Sequence, residues 1–325
     1  MTQPEILTES GKRMPLRRLT AVNPVIYAFL VMLIVDLLLQ PAIFSVSEFG
    51  DQIASALPLM FVAFAQTLVV LTGGFDLSVG GILVITNVLT ATWLSSGTHR
   101  LGLLIVIVCI GMILGAVNGV LIAYVRFESF IATLGTWAIY DGIALTILPT
   151  DGGTVPAALT NFVNGSIGPV PTAYLIFAVL ILVALYIHRH AYGTYLKATG
   201  ADAESARRNG IKISQVRLGA YILSGFFCAL AGIYLAAQTG TGTPTAGDGY
   251  ILQSIEAVAI GGASFLGGEG NLLASIAAVF VLTFISNIVF ALNLQPYVAV
   301  IASSVLLLAA VLVKSTRQLF GGRQG

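Results

Sequence analysis

Two glycine-rich stretches hold the carboxylates with the clearest chemical potential in this 325-residue chain. The first runs Gly73-Gly74-Phe75-Asp76-Leu77-Ser78-Val79-Gly80-Gly81. Four glycines in nine residues break the helical pattern and allow a sharp turn or a close backbone approach. Asp76 can cap the following helix by accepting backbone N–H bonds. Two readings stand side by side: a tight turn with an N-cap, and a broken-helix element lining a cavity. The second stretch runs from Glu256 to Asn271, with Gly261, Gly262, Gly267, Gly268 and Gly270 interrupting an apolar segment. An acid inside a membrane segment is costly to keep and marks a functional site by default. Glycine breaks in both halves of a chain point to a transporter built from repeats, although the two halves here share little sequence.

A third constellation is polar and charged. It contains Gly193, Lys197, Gly200, Asp202, Glu204, Ala206, Arg207, Arg208 and Gly210. The segment reads as a short helix near 202–208. Asp202 and Glu204 suit its N-terminal dipole, and Arg207 and Arg208 suit its C-terminal end. Asn209-Gly210 supplies a left-handed stop. Two turns of helix are not stable alone in water, so the segment reads either as a docking knob for a cytoplasmic partner or as a solvated interfacial helix.

A fourth set is built from small residues. Gly111, Gly115 and Gly119 form a smooth ridge, with Asn118 beside it to hydrogen-bond across an interface. Ser224, Cys228 and Gly232 repeat that spacing further on. Helix packing is the better reading of both. Other polar groups within apolar runs are Asp36, Gln66, Asn87, Thr133 and Thr136. Trp137, Tyr140 and Asp141 lie one turn apart on one helix face, suited either to lining a sugar path or to an interfacial aromatic belt with Asp141 in a buried pair.

The elements that position these residues are membrane helices. Hydrophobic residues make up 57% of the chain and charged residues 9%, with a mean hydropathy of +0.95. Soluble domains carry about 25% charged residues, so a soluble globular protein is excluded. Disorder is excluded by the same hydrophobicity. A net charge of +1 gives no sign of a nucleic-acid partner. Cys109 and Cys228 lie in apolar runs, which argues against a disulfide framework or a metal site. Apolar runs predict ten spans, at about 22–43, 52–72, 79–96, 101–124, 129–148, 170–188, 216–237, 250–266, 271–293 and 295–313. The 250–266 segment is the weakest, and eight spans is the competing count. The first run is too long for a signal-peptide core, contains Asp36 and lacks a cleavage site, so it reads as a membrane helix.

Ten spans place fourteen of the fifteen Lys and Arg residues on one side, with Arg100 alone on the other. By the positive-inside rule both termini are cytoplasmic. The expected architecture is an all-α polytopic membrane bundle of about ten transmembrane helices. It has a cytoplasmic tail at 1–21, a transmembrane domain at 22–313 and a second cytoplasmic tail at 314–325. The uncharged loops 149–169 and 238–249 are then external. No G-x-x-x-x-G-K-[ST] occurs, so the chain lacks that nucleotide cradle. No nucleophilic triad or metal-ligand spacing appears, and His188 and His190 read as interfacial histidines. No cofactor or catalytic group is expected.

The order of these motifs resembles that of permease subunits of bacterial ABC importers for simple sugars: the ribose, xylose, arabinose and galactose permease family. The resemblance rests on Gly73–Gly80, Asn118-Gly119, Phe130–Thr136, the Gly193–Ile211 pattern and Glu256–Gly270, and covers about 50–315. Ala201-Asp202 departs from the family's usual Gly-Asn, and Val258-Ala259-Ile260 from its A-V-V-like run. The resemblance implies two permease chains, as a homodimer or heterodimer, two cytoplasmic ATPase subunits and a periplasmic or lipid-anchored binding protein in the bacterial inner membrane. It implies that the Gly193–Gly210 loop docks the ATPase. It also implies ATP-driven alternating access for a monosaccharide or polyol. The expected path residues are Gly73, Gly74, Asp76, Ser78, Asn118, Thr133, Thr136, Trp137, Tyr140, Asp141, Glu256, Gly261 and Gly262. The alternatives are a nucleoside importer of the same class, or a secondary transporter coupled to ions through Asp36, Asp141 or Glu256.

Overall fold

The computed structural model describes residues 24–41, 45–95 and 100–321. The predicted N-terminal tail, 1–21, lies outside them. The described chain is almost entirely helical: α1 (Pro24–Leu39), α2 (Val46–Leu71), α3 (Ser78–Trp93), α4 (Arg100–Ala123), α5 (Ser129–Ile147), α6 (Ala157–Asn164), α7 (Thr172–Arg189), α8 (Ala191–Ala201), α9 (Ala203–Arg208), α10 (Ile213–Thr239), α11 (Gly247–Ile260), α12 (Leu272–Ala291) and α13 (Tyr297–Gly321). A two-residue hairpin, β1 (Ser166–Ile167) with β2 (Val170–Pro171), sits before α7.

Among the described residues, six helices are long and apolar enough to cross a membrane: Val46–Leu71, Gly102–Ala123, Ser129–Ile147, Thr172–Arg189, Ile213–Thr239 and Leu272–Ala291. Three shorter apolar helices accompany them. The chain is therefore a multi-pass helical membrane protein.

The core is built around α2, which is buried on all sides from Ala56 to Leu71. Helix α10 packs against α4, α2 and α3. The small-residue pattern explains how close that packing is. A Cβ added at Gly115 would collide with the Tyr221 carbonyl, and one at Gly225 with the Gly111 carbonyl. Gly232 meets the backbone of α3 at Leu83 in the same way. The ridge read from the sequence is thus a helix-packing surface, with α10 as its partner. The outer helices expose apolar side chains, including Leu38, Ile113, Ile139, Leu182 and Leu308, as a lipid-facing surface requires.

Several elements differ from the sequence reading. The loop 189–215 holds a further helix, α8, ahead of the short one. The loop 149–169 contains α6 and β1. Helix α11 ends at Ile260 rather than 266, because Gly262 adopts a left-handed conformation (φ +83°) two residues on. Helix α13 continues to Gly321, past the expected membrane edge at 313.

The two loops expected to be external are joined to each other. Gly152 and Gly242 form an antiparallel bridge, and Val155 N–H donates to the Gly240 carbonyl at 3.1 Å. Asn87 of α3 accepts from the Thr243 N–H at 2.7 Å, and Thr154 N–H donates to the Ala91 carbonyl at 3.0 Å. These bonds form a strap over that end of the bundle.

Candidate functional site

Asp76 lies in the Thr72–Leu77 break between α2 and α3 and is fully buried. Its Oδ1 accepts from the Ser78 backbone N–H at 3.0 Å and from the Ser78 hydroxyl at 2.5 Å. Its Oδ2 accepts from the Ser224 hydroxyl of α10 at 2.7 Å. Asn118 of α4 donates to the Ser78 hydroxyl at 2.7 Å, and the Thr136 hydroxyl of α5 donates to Asn118 at 2.8 Å. Thr133 accepts from the Leu77 N–H, Ser129 from the Phe75 N–H, and the Tyr221 hydroxyl donates to the Phe75 carbonyl. Two helices, α5 and α10, therefore hold one glycine-rich turn through its backbone and its only carboxylate, and α4 joins them through the Ser78 hydroxyl.

The capping role expected of Asp76 is present, since it bonds the first N–H of α3. Asp76, Ser78, Asn118, Thr133 and Thr136 form a buried clamp. Ser224, read from the sequence as a packing residue, is the partner that the sequence reading missed. Tyr140 is buried and donates to the Leu114 carbonyl of α4 at 3.1 Å. Trp137 is half-buried beside the Gly81 backbone. The two residues pack α5 against α3. Asp141, half-buried one position past Tyr140, belongs to neither contact.

The two glycine breaks, far apart in sequence, meet in space. Gly268 N–H donates to the Leu71 carbonyl at 3.1 Å, and the Phe75 and Phe265 rings lie 5.3 Å apart. The end of α8 lies against both breaks. A Cβ on Gly200 would sit 2.5 Å from the Gly268 nitrogen and 3.0 Å from the Gly267 Cα, and would strike the Leu71 carbonyl as well. A Cβ on Gly267 would sit 2.7 Å from the Gly73 nitrogen and Cα. Backbone thus touches backbone at Gly73, Gly200, Gly267 and Gly268, a clasp that only residues without a Cβ can form.

Helix α9 projects from this clasp. Asp202 accepts from the Glu204 and Ser205 N–H groups, both at 3.0 Å, and from the Ser205 hydroxyl at 2.6 Å. Those bonds, led by the Ser205 hydroxyl, hold the Asp202 carboxyl below its ordinary range. Glu204 is also lowered, first by its hydrogen bond to Arg207 and then by that to Arg208. It pairs with Arg207 at 2.7 Å and Arg208 at 3.2 Å. Gly210 terminates the turn with a φ of +83°. Ala206 and Leu196 are buried beneath, Gly193 is packed against the Ile187 carbonyl, and Lys197 is half-buried. A groove of about 650 Å³ runs beside α9, between Gly73, Gly74, Arg126, Glu128, Arg207 and Arg217. Glu256 stands apart: it is buried in α11 and lines a separate cavity against α12 and α13. Gly261 and Gly262 follow that helix's end.

Glycine breaks clasped to a short, capped, charged helix on an otherwise apolar bundle define a multi-pass helical membrane protein with one built, non-lipid face. Residues 50–312 match the family described as branched-chain amino acid transport system / permease component, and the chain belongs to that family. A ribose import permease protein of Escherichia coli (strain K12) is 31% identical over 319 residues, 96% of this chain and 99% of that protein. The ribose import permease protein of Bacillus subtilis (strain 168) is 33% identical over 259 residues, 78% of this chain and 80% of that protein. An autoinducer 2 import system permease protein of Yersinia pseudotuberculosis serotype O:3 (strain YPIII) is 31% identical over 258 residues, 78% of this chain and 73% of that protein. No solved structure matches the chain.

Proposed function

We propose that this chain is the membrane subunit of an ATP-driven importer for a monosaccharide or related polyol. It pairs with a second permease copy, a cytoplasmic ABC ATPase and an external binding protein in a bacterial cytoplasmic membrane. Ten spans cross the bilayer within 22–313, with both termini cytoplasmic. The names of the relatives, for ribose and for autoinducer 2, favour a small polyhydroxylated solute. The single observation that carries the reading is the placement of α9. It is capped and charged, and it is joined through Gly200 to both glycine breaks. A helix seated in an ATPase groove would pass that subunit's movement straight into the bundle. The chain supplies no nucleotide cradle of its own.

Deleting 202–208 from the tagged chain tests the docking role. Pull-down from mild detergent is expected to lose the ATPase while the apolar bundle still elutes as a folded species. Retained ATPase sinks the docking role. Uptake that survives ATP depletion and collapses with an ionophore would favour the ion-coupled reading instead.

A further inference from the structure

Glu256 is the acid that the clamp and the clasp leave unused. It is 5% exposed, yet its Oε2 has no hydrogen-bond partner among the described residues. Its Oε1 accepts a long bond, 3.5 Å, from the Ser304 hydroxyl of α13, and the neighbouring Ser303 hydroxyl also interacts with the carboxyl. The carboxyl borders a cavity of about 580 Å³ between α11, α12 and α13. Gln253, Asn287, Ser303 and Ser304 share the lining, and no Lys, Arg or His does. Asn287 is itself held by Gln52 of α2, to which its amide donates.

Three facts define what the cavity takes. First, it is polar in a belt where the neighbouring Leu252, Phe290 and Val300 are exposed apolar residues. Lipid does not tolerate carboxyl, amide and hydroxyl groups together, so the cavity faces water or a solute. Second, its position is one-ended. It draws on α11 from Gly249 to Glu256, the second half of α12 and the first half of α13, so its lining runs from the strap end of the bundle toward the middle of α11. Third, its chemistry is one-sided. A buried acceptor without a cationic neighbour, flanked by hydroxyls and amides, suits hydroxyl donors. The apolar wall at Leu252 and Phe290 suits the C–H faces of a ring. The volume is within the range of about 300–1,000 Å³ that small-molecule sites occupy.

We infer that the α11–α12–α13 cavity is a binding site for a neutral polyhydroxylated solute, with the Glu256 carboxyl accepting from its hydroxyls. The site rests on the proposal that the chain imports such a solute.

The test uses the assembled transporter in spheroplasts. In a chain with Cys109 and Cys228 replaced by alanine, Ser303→Cys is treated from outside with a membrane-impermeant, negatively charged methanethiosulfonate. D-ribose, other pentoses and hexoses serve as the probes. Labelling is expected, and it is expected to slow in the presence of the sugar that wild type imports. Glu256→Ala is expected to weaken uptake of that sugar about 10- to 100-fold, the loss that goes with hydrogen bonds to a charged group. Glu256→Gln, which keeps an acceptor and the side-chain volume, is expected to fall less. ATPase pull-down on each variant reports that the complex has assembled. Wild-type import, together with unlabelled or unprotected Ser303→Cys or unchanged uptake by both Glu256 variants, overturns this site and leaves the import reading standing. Failure of wild type to import any polyol overturns both.

Discussion

Replacing Gly200 by alanine adds one carbon where three backbone segments already touch. The new Cβ would lie 2.5 Å from the Gly268 nitrogen and 3.0 Å from the Gly267 Cα, with the Leu71 carbonyl also in its way. None of these is a flexible side-chain end, so the loops themselves must part. Overpacking of this kind costs about 1–3 kcal/mol. Parting the loops also loosens the 3.1 Å bond from Gly268 N–H to the Leu71 carbonyl, worth about 0.5–1.5 kcal/mol. Gly200 lies within α8, so alanine returns about 0.5–1 kcal/mol of helix propensity. The balance is a loss of about 0.5–4 kcal/mol, or roughly 1–8 °C in the melting temperature at about 2 °C per kcal/mol. Gly135→Ala is the matched control, because it lies inside α5 with nothing within 4 Å of its added Cβ. It is expected to be neutral or stabilising by up to about 1 kcal/mol. Thermal unfolding of the detergent-solubilised proteins, monitored by scanning fluorimetry, compares the two. A Gly200→Ala protein that melts with or above Gly135→Ala refutes the clasp reasoning.

Other changes have their own expected outcomes. Asp76→Ala strands the Ser78 and Ser224 hydroxyls and is expected to cost about 3 kcal/mol or more, with Asp76→Asn costing about 1–3 kcal/mol, read as loss of folded yield and melting temperature. Gly115→Val drives a side chain into the Tyr221 carbonyl and is expected to cost at least about 1–3 kcal/mol, whereas Gly142→Val, with open space around it inside α5, is expected to be neutral or slightly stabilising, since valine is a better helix former than glycine; the same melting assay separates them. The Asp202 carboxyl is lowered in the folded chain, so its support of α9 is complete above the unfolded value of about 3.9 and is lost as pH falls through the lower folded value. Amide exchange at Glu204 and Ser205 is expected to stay protected from neutral pH down to about pH 4. It should lose that protection below, while Asp202→Asn shows no such step.

The sequence was most informative where chemistry is local. Asp202, Glu204 and the Arg207-Arg208 pair define a capped two-turn helix by spacing alone, and α9 forms with those contacts. The ridge of Gly111, Gly115 and Gly119 announced a close helix contact, and Asn118 a bond across an interface. What spacing could not supply was the partner. Ser224 reads as one more small residue until α10 places it 2.7 Å from Asp76. The meeting of Gly73, Gly200 and Gly267 is a long-range event between segments with no shared pattern. Helix α8 was hidden because Gly193, Thr194, Thr199 and Gly200 are weak helix formers, and its formation depends on burying Leu196 and Thr199. The polar character of Glu256 was legible from its type, but the cavity around it depends on α13 supplying Ser303 and Ser304.

The strap at one end and the clasp at the other have a joint mechanical effect. The bond from Gly152 to Gly242 secures one end, and the Gly268-to-Leu71 bond secures the other. Between them α2, α3 and α10 are packed on glycine. A beam riveted at both ends does not hinge in the middle. In the importer proposed above, that stiffness would make the chain a rigid lever whose short arm is α9.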